Sequence, residues 1–126
     1  MESIEARKLI NRIQKSVLDE GANSEPVIEG LQELRPYAIE QKDPMVTRII
    51  RTTWEHLEEF EGFHIDVPDD EEDEEEEFEP IIEGLDRGSN SVYYLLSLLQ
   101  NTSNPRNREE LKYYRDALKE YWLENA

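Results

Sequence analysis

Glu25-Pro26-Val27-Ile28-Glu29-Gly30-Leu31 returns later in the chain as Glu79-Pro80-Ile81-Ile82-Glu83-Gly84-Leu85, with a single exchange of Val for Ile. Between the copies, residues 69–77 read DDEEDEEEE, nine consecutive acids. A sequence that says nearly the same thing on either side of a charge run reads as two related helical units joined by an anionic connector. On that reading residues 1–126 form one all-α domain of five or six helices. Residues 1–62 hold an N-terminal helix and a first helical hairpin, 63–78 an acidic connector, and 79–126 a second hairpin stacked on the first. The connector is expected to be a disordered loop: adjacent carboxylates repel, and no apolar residue in the run repays the entropy of ordering.

Residues 3–19 predict an amphipathic helix, because Ala6, Leu9, Ile10, Ile13 and Val17 recur at three- and four-residue steps. Gly21 and Asn23 suit its end. Ser24 then caps a second helix with Pro26 in its first turn, and Val27, Ile28, Leu31, Leu34 and Ala38 as its buried side. Pro36 is expected to kink or end that helix. Asp43-Pro44 starts a third helix, with Val46, Ile49, Ile50, Thr53, Leu57 and Phe60 as its stripe and Gly62 as its stop. Residues 63–68 alternate apolar and polar, which predicts a short extended edge.

After the acid run, residues 79–86 are expected to restart a helix that Gly88-Ser89-Asn90 interrupts. Residues 92–99 are the most apolar stretch and predict a central helix. Asn104-Pro105 repeats the Asp43-Pro44 start signal. The helix that follows packs through Leu111, Tyr114, Ala117, Leu118, Tyr121 and Trp122. Aligning the two start signals matches Ile50 with Leu111, Leu57 with Leu118, and Phe60 with Tyr121. Between heptapeptide and start signal the second unit carries seven extra residues, read as about two helical turns. Convergent helix-start chemistry accounts for the shared Pro and Glu. It does not account for Ile-Glu-Gly-Leu recurring, and duplication is the preferred reading. One hairpin cannot bury its apolar face alone, but two stacked hairpins can.

From Leu34-Arg35-Pro36 through Asp43-Pro44-Met45-Val46-Thr47-Arg48 the chain resembles a HEAT-type repeat, which carries a Pro in its first helix and Asp-Pro before a Val and a basic residue in its second. The second unit keeps Asn104-Pro105 but follows it with Asn107 and Arg108, and it lacks a counterpart of Pro36. The resemblance implies stacked helical hairpins used as a protein-binding scaffold.

Charge bounds the partners. The net charge is −17, from 31 acids and 14 bases. Residues 63–80 hold eleven acids and no base, whereas residues 81–126 hold seven acids and six bases. A body so charged leaves no basic face for phosphates, so neither direct nucleic-acid binding nor attachment to an anionic membrane is expected. The absence of Cys removes disulfides, zinc–thiolate sites and thiol nucleophiles. No stretch approaches a membrane span, and Met1-Glu2-Ser3-Ile4-Glu5 lacks the layout of a signal peptide, so a soluble, cytoplasmic protein is expected.

No catalytic residue, metal ligand or cofactor emerges. The acid run lacks the Gly and the alternating oxygen positions of a calcium loop. His56 and His64, the two histidines, have no helical ligand spacing and are expected at the surface. No nucleophile elbow, phosphate loop or dinucleotide fingerprint is present. The predicted function is noncatalytic: binding of a basic protein partner, as an immunity protein or antitoxin does. The contact residues are Asp69, Asp70, Glu71, Glu72, Asp73, Glu74, Glu75, Glu76 and Glu77, with Tyr93, Tyr113 and Trp122 as exposed aromatics. A DNA mimic and a homo-oligomer built through the Tyr-rich helices are the alternatives.

Overall fold

Side-chain caps mark the starts of four of the five helices; Ser24, expected to cap the second, makes no cap hydrogen bond, and its hydroxyl donates to the Gly21 carbonyl instead. The computed structural model describes residues 3–68 and 82–126, which form five helices: α1 (Ile4–Glu20), α2 (Glu25–Glu40), α3 (Pro44–Phe60), α4 (Arg87–Leu99) and α5 (Pro105–Asn125). The Ser3 hydroxyl accepts from the Ala6 N–H at 3.1 Å, and Gly21, at φ +86°, ends α1. Asp43 accepts from the Val46 N–H, and Asn104 from those of Arg106 and Asn107. The two Asx-Pro signals therefore work alike, with Pro at a position whose N–H is not needed. α2 continues past Pro36 to Glu40, so early termination does not occur. At the end of α3 the left-handed residue is Glu61 (φ +53°), not Gly62.

The helices close a ring. α1 packs on α2 and α4, α2 on α3, α3 on α5, and α5 on α4. α2–α3 and α4–α5 are the two hairpins, and they stack directly through α3 and α5. These run parallel: Asp43 meets Arg108 at their starts, and Phe60 meets Tyr121 near their ends. The matched residues Ile50, Leu111, Leu57 and Leu118 are all buried. On the other side α1 lies between α2 and α4. The Gln14 amide donates to the Tyr93 carbonyl and to Ser97 Oγ, and Gln100 donates to Asn11. Gly30 lets α2 approach α1, because a Cβ there would lie 2.5 Å from Ile13 Cγ1.

The second heptapeptide does not behave like the first. Residues 28–31 are helical, but residues 82–85 form a turn in which Gly84 takes φ +89°. The expected helix over 79–86 therefore fails across its described part, residues 82–86. The seven extra residues lie between Leu85 and Asn104, in the stretch that holds α4 and the turn at residues 100–103, and not in the heptapeptide. α4 starts at the next available cap: Asp86 accepts from the Ser89 N–H at 3.2 Å. Gly88-Ser89-Asn90, read from sequence as an interruption, is the buried first turn of α4. Asn90 holds the turn in place. Its Oδ1 accepts from the Ile82 N–H at 2.6 Å, and its Nδ2 donates to the carbonyls of Leu85 and Asp86. Ser89 Oγ donates to Asp86 and accepts from the Ala22 N–H at 2.9 Å, tying α4 to the α1–α2 turn.

Residues 63–68 lack regular structure and have no paired strand, yet they alternate as expected: Phe63 and Ile65 are buried, His64 and Asp66 exposed. The Phe63 carbonyl lies so close to Gly88 that a Cβ there would sit 2.4 Å from its oxygen. Gly88→Ala should cost about 1–3 kcal/mol, because a backbone carbonyl cannot rotate aside as a side chain can. Gly30→Ala should cost less, since the Ile13 side chain can shift away from the new methyl where the Phe63 carbonyl cannot. Urea unfolding of both variants checks the order; a neutral Gly88→Ala would contradict the close approach.

Candidate functional site

Asp69, Asp70, Glu71, Glu72, Asp73, Glu74, Glu75, Glu76 and Glu77 lie outside the described residues. What the structure does place is the backbone leading into them. Arg87 grips both carboxylate oxygens of Asp66, at 2.6 and 3.0 Å, and the Tyr113 hydroxyl donates to the Asp66 carbonyl at 2.8 Å. The root of the acid run is thus fastened beside Tyr113, on the flank of α5.

The three aromatics expected at an interface do not form one patch. Tyr93 is half-buried near α1, whereas Tyr113 and Trp122 are exposed on α5. Nine residues at about 100° each place Tyr113 and Trp122 on opposite sides of that helix. Their adjacent partners separate as the helical period requires. Tyr114 is fully buried, donates to the Ser91 carbonyl at 3.1 Å, and has its hydroxyl pKa raised by burial. Tyr94 is pushed up to about 12 by burial and by its hydrogen bond to Glu110.

A groove of about 740 Å³ runs between the outer sides of α3 and α5, with Arg48, Arg51, Arg115 and Lys119 along its walls and Leu118, Trp122 and Leu123 in it. Arg48 and Arg51 are shared with a neighbouring cleft of about 390 Å³ at the α2–α3 turn, which adds Arg35, Lys42 and Ile39. The body therefore does have a basic face. Segment-by-segment charge totals could not reveal it, because its members come from three helices. Asp43, at the edge of the cleft, is engaged by Arg108 at 2.9 Å; burial would raise its pKa, but Arg108 and the Val46 N–H outweigh that and lower it.

The second departure from expectation is His56. It is not at the surface: it is 0 % exposed, ringed by Phe60, Phe63, His64 and Tyr121. Its Nε2 accepts from the His64 N–H at 3.1 Å, which requires the neutral ring to carry its proton on Nδ1, a buried atom with no hydrogen-bond partner. Burial, reinforced by the neighbouring His64, lowers its pKa to about 4. His64 is exposed as expected, but it stacks on Tyr121. The signal for His56 was its place in the α3 stripe, three residues after Thr53 and four before Phe60. Its polar type concealed it. Among the described residues no cluster of His, Asp and Glu could hold a metal ion, and no helix is long and apolar enough to cross a membrane.

No family model, curated protein or solved structure matches this chain.

The His56 ring is therefore read from its own surroundings. A protonated Nε2 cannot accept from the His64 N–H, so acid opposes the packing of residues 63–65 against α3. Because the folded pKa lies below the unfolded value, the stability contribution of neutral His56 is complete above about pH 6.5. It is lost as pH falls from about 6.5 to about 4. Urea unfolding over this range should show that loss in the native protein and a shallower one in His56→Gln, whose amide oxygen can still accept. Identical slopes would remove His56 as the cause.

Proposed function

We propose that the protein is a noncatalytic binding module for a basic protein partner, acting as an immunity protein or antitoxin acts on a cationic target. One observation carries this reading: the root of a nine-acid run is clamped to the helical body through Asp66, beside the exposed Tyr113. A charge run fixed at one end projects its field from a defined place. It attracts a cationic surface towards the aromatic that then contacts it. The buried polar groups of α4 favour a structural use of the interior, because Ser89, Asn90 and Ser91 spend their hydrogen bonds on the exposed cap Asp86, on turn backbone and on Tyr114. The HEAT-type resemblance around Pro36 and Asp43-Pro44 points to the same class, a helical scaffold for protein contact.

Such a binder gains speed more than affinity from its charge. A partner captured from native lysate at low salt should associate at least tenfold more slowly when ionic strength rises from roughly 0.05 to 0.5 M. Deletion of residues 69–77 should lower the low-salt rate by a similar factor with little change in dissociation. Stopped-flow measurement decides it: a rate insensitive to both salt and deletion would overturn the proposal.

A further inference from the structure

We propose that the basic groove on the outer side of α3 and α5 receives residues 69–77 of a second copy of this chain. Six of the fourteen Lys and Arg residues, namely Arg35, Lys42, Arg48, Arg51, Arg115 and Lys119, line the groove and its adjoining cleft. On a chain of net charge −17, such a gathering is the opposite of what composition would scatter. Three carboxylates share the surface and each is engaged: Asp43 with Arg108, Glu55 with Arg51, and Asp116 with Arg115. Arg35, Lys42, Arg48 and Lys119 have no ion-pair partner among the described residues. The groove and cleft are therefore cationic in net terms, although Glu120 and Glu124 border the groove beside Lys119 and Leu123.

Its shape suits a linear anion. Arg48 and Arg51 stand one turn apart on α3, and Arg115 and Lys119 one turn apart on the parallel α5. Two rows of cations thus border a trough with Leu118 within it. An extended nine-residue run spans about 30 Å, and α3 with its 17 residues is about 25 Å long. Three of the large exposed apolar side chains lie on this same surface, Ile39 in the cleft and Trp122 and Leu123 in the groove. Phe78 directly follows the acid run in sequence, so the run carries an apolar anchor for that patch.

The second copy is favoured over the same copy by the position of the root. Asp66 is tied to Tyr113, on the side of α5 opposite Trp122, so the last tethered residue before a chain's own run lies on the far side of α5 from its own groove. Donor and acceptor surfaces are different, so the contact is heterologous and propagates into a ring or chain of copies. Exposed ion pairs are individually weak, and the bodies repel, so association is concentration-dependent and dissolves in salt. Both readings engage residues 69–77, but this inference does not rest on the proposed basic partner, because self-association is measured on the purified chain alone.

Sedimentation velocity of the full chain over a concentration series tests it. At an ionic strength of roughly 0.05 M the average mass should rise to about twice the monomer mass or more, and return to the monomer at roughly 0.5 M. Arg48→Glu/Arg51→Glu, at two exposed positions, and deletion of residues 69–77 should each give a monomer at low salt. Circular dichroism establishes that each variant is folded. Mixing the two should restore a one-to-one complex that does not grow further, because one retains the run and the other the groove. A native chain that stays monomeric at low salt, a single variant that still associates, or a mixture that does not would each overturn the proposal.

Discussion

Burying the first turn of α4 is the constraint on which the rest of the molecule depends. A helix start carries N–H groups that the helix itself cannot satisfy, and here Gly88, Ser89 and Asn90 of that start lie inside the protein. The Ser89 and Asn90 groups accordingly find partners. Asp86 takes the Ser89 N–H, Ser89 reaches the Ala22 N–H, and Asn90 bonds to both sides of the preceding turn. These bonds join α4 to the α1–α2 turn and to residues 82–86. Gly88 adds the close approach of the Phe63 carbonyl, which brings in the end of α3. The small residues that looked like a break in a helix are small because three segments converge on them.

The same constraint separates two nearly identical heptapeptides. Gly30 serves close packing within a helix, against Ile13, whereas Gly84 serves a left-handed turn that side chains with a Cβ resist. Local sequence is the same in both places, so local propensity cannot distinguish them. What differs is Asn90, eight residues after Ile82, which captures the Ile82 N–H and stabilises the turn. The hairpin arrangement survives because its other markers, Asp43-Pro44 and Asn104-Pro105, are caps whose chemistry is complete within one helical turn.

Charge follows a similar division. A run of like charges announces itself in sequence, but a basic surface assembled from α2, α3 and α5 does not. Arg48 and Arg115 are 67 positions apart and share a groove only because α3 and α5 lie side by side in parallel. Among the described residues these bases gather on one surface, and the exposed apolar residues Trp122 and Leu123 fall on it. Tyr113, on the other flank of α5, holds Asp66, three residues before the acid run begins in sequence.

The amino-acid sequence by itself determined the all-helical class, the caps of α1, α3 and α5, the core stripes and the extended alternation of residues 63–66. All of these follow from side chains within a turn or two of one another, where period and capping act. Tertiary structure alone decided that α1 lies between the hairpins, that Ile82 to Leu85 turn instead of coiling, that His56 is buried, and that scattered bases meet in one groove. Each of those outcomes depends on groups far apart in sequence competing for the same buried hydrogen bonds and the same interior space, and no local pattern records who wins that competition.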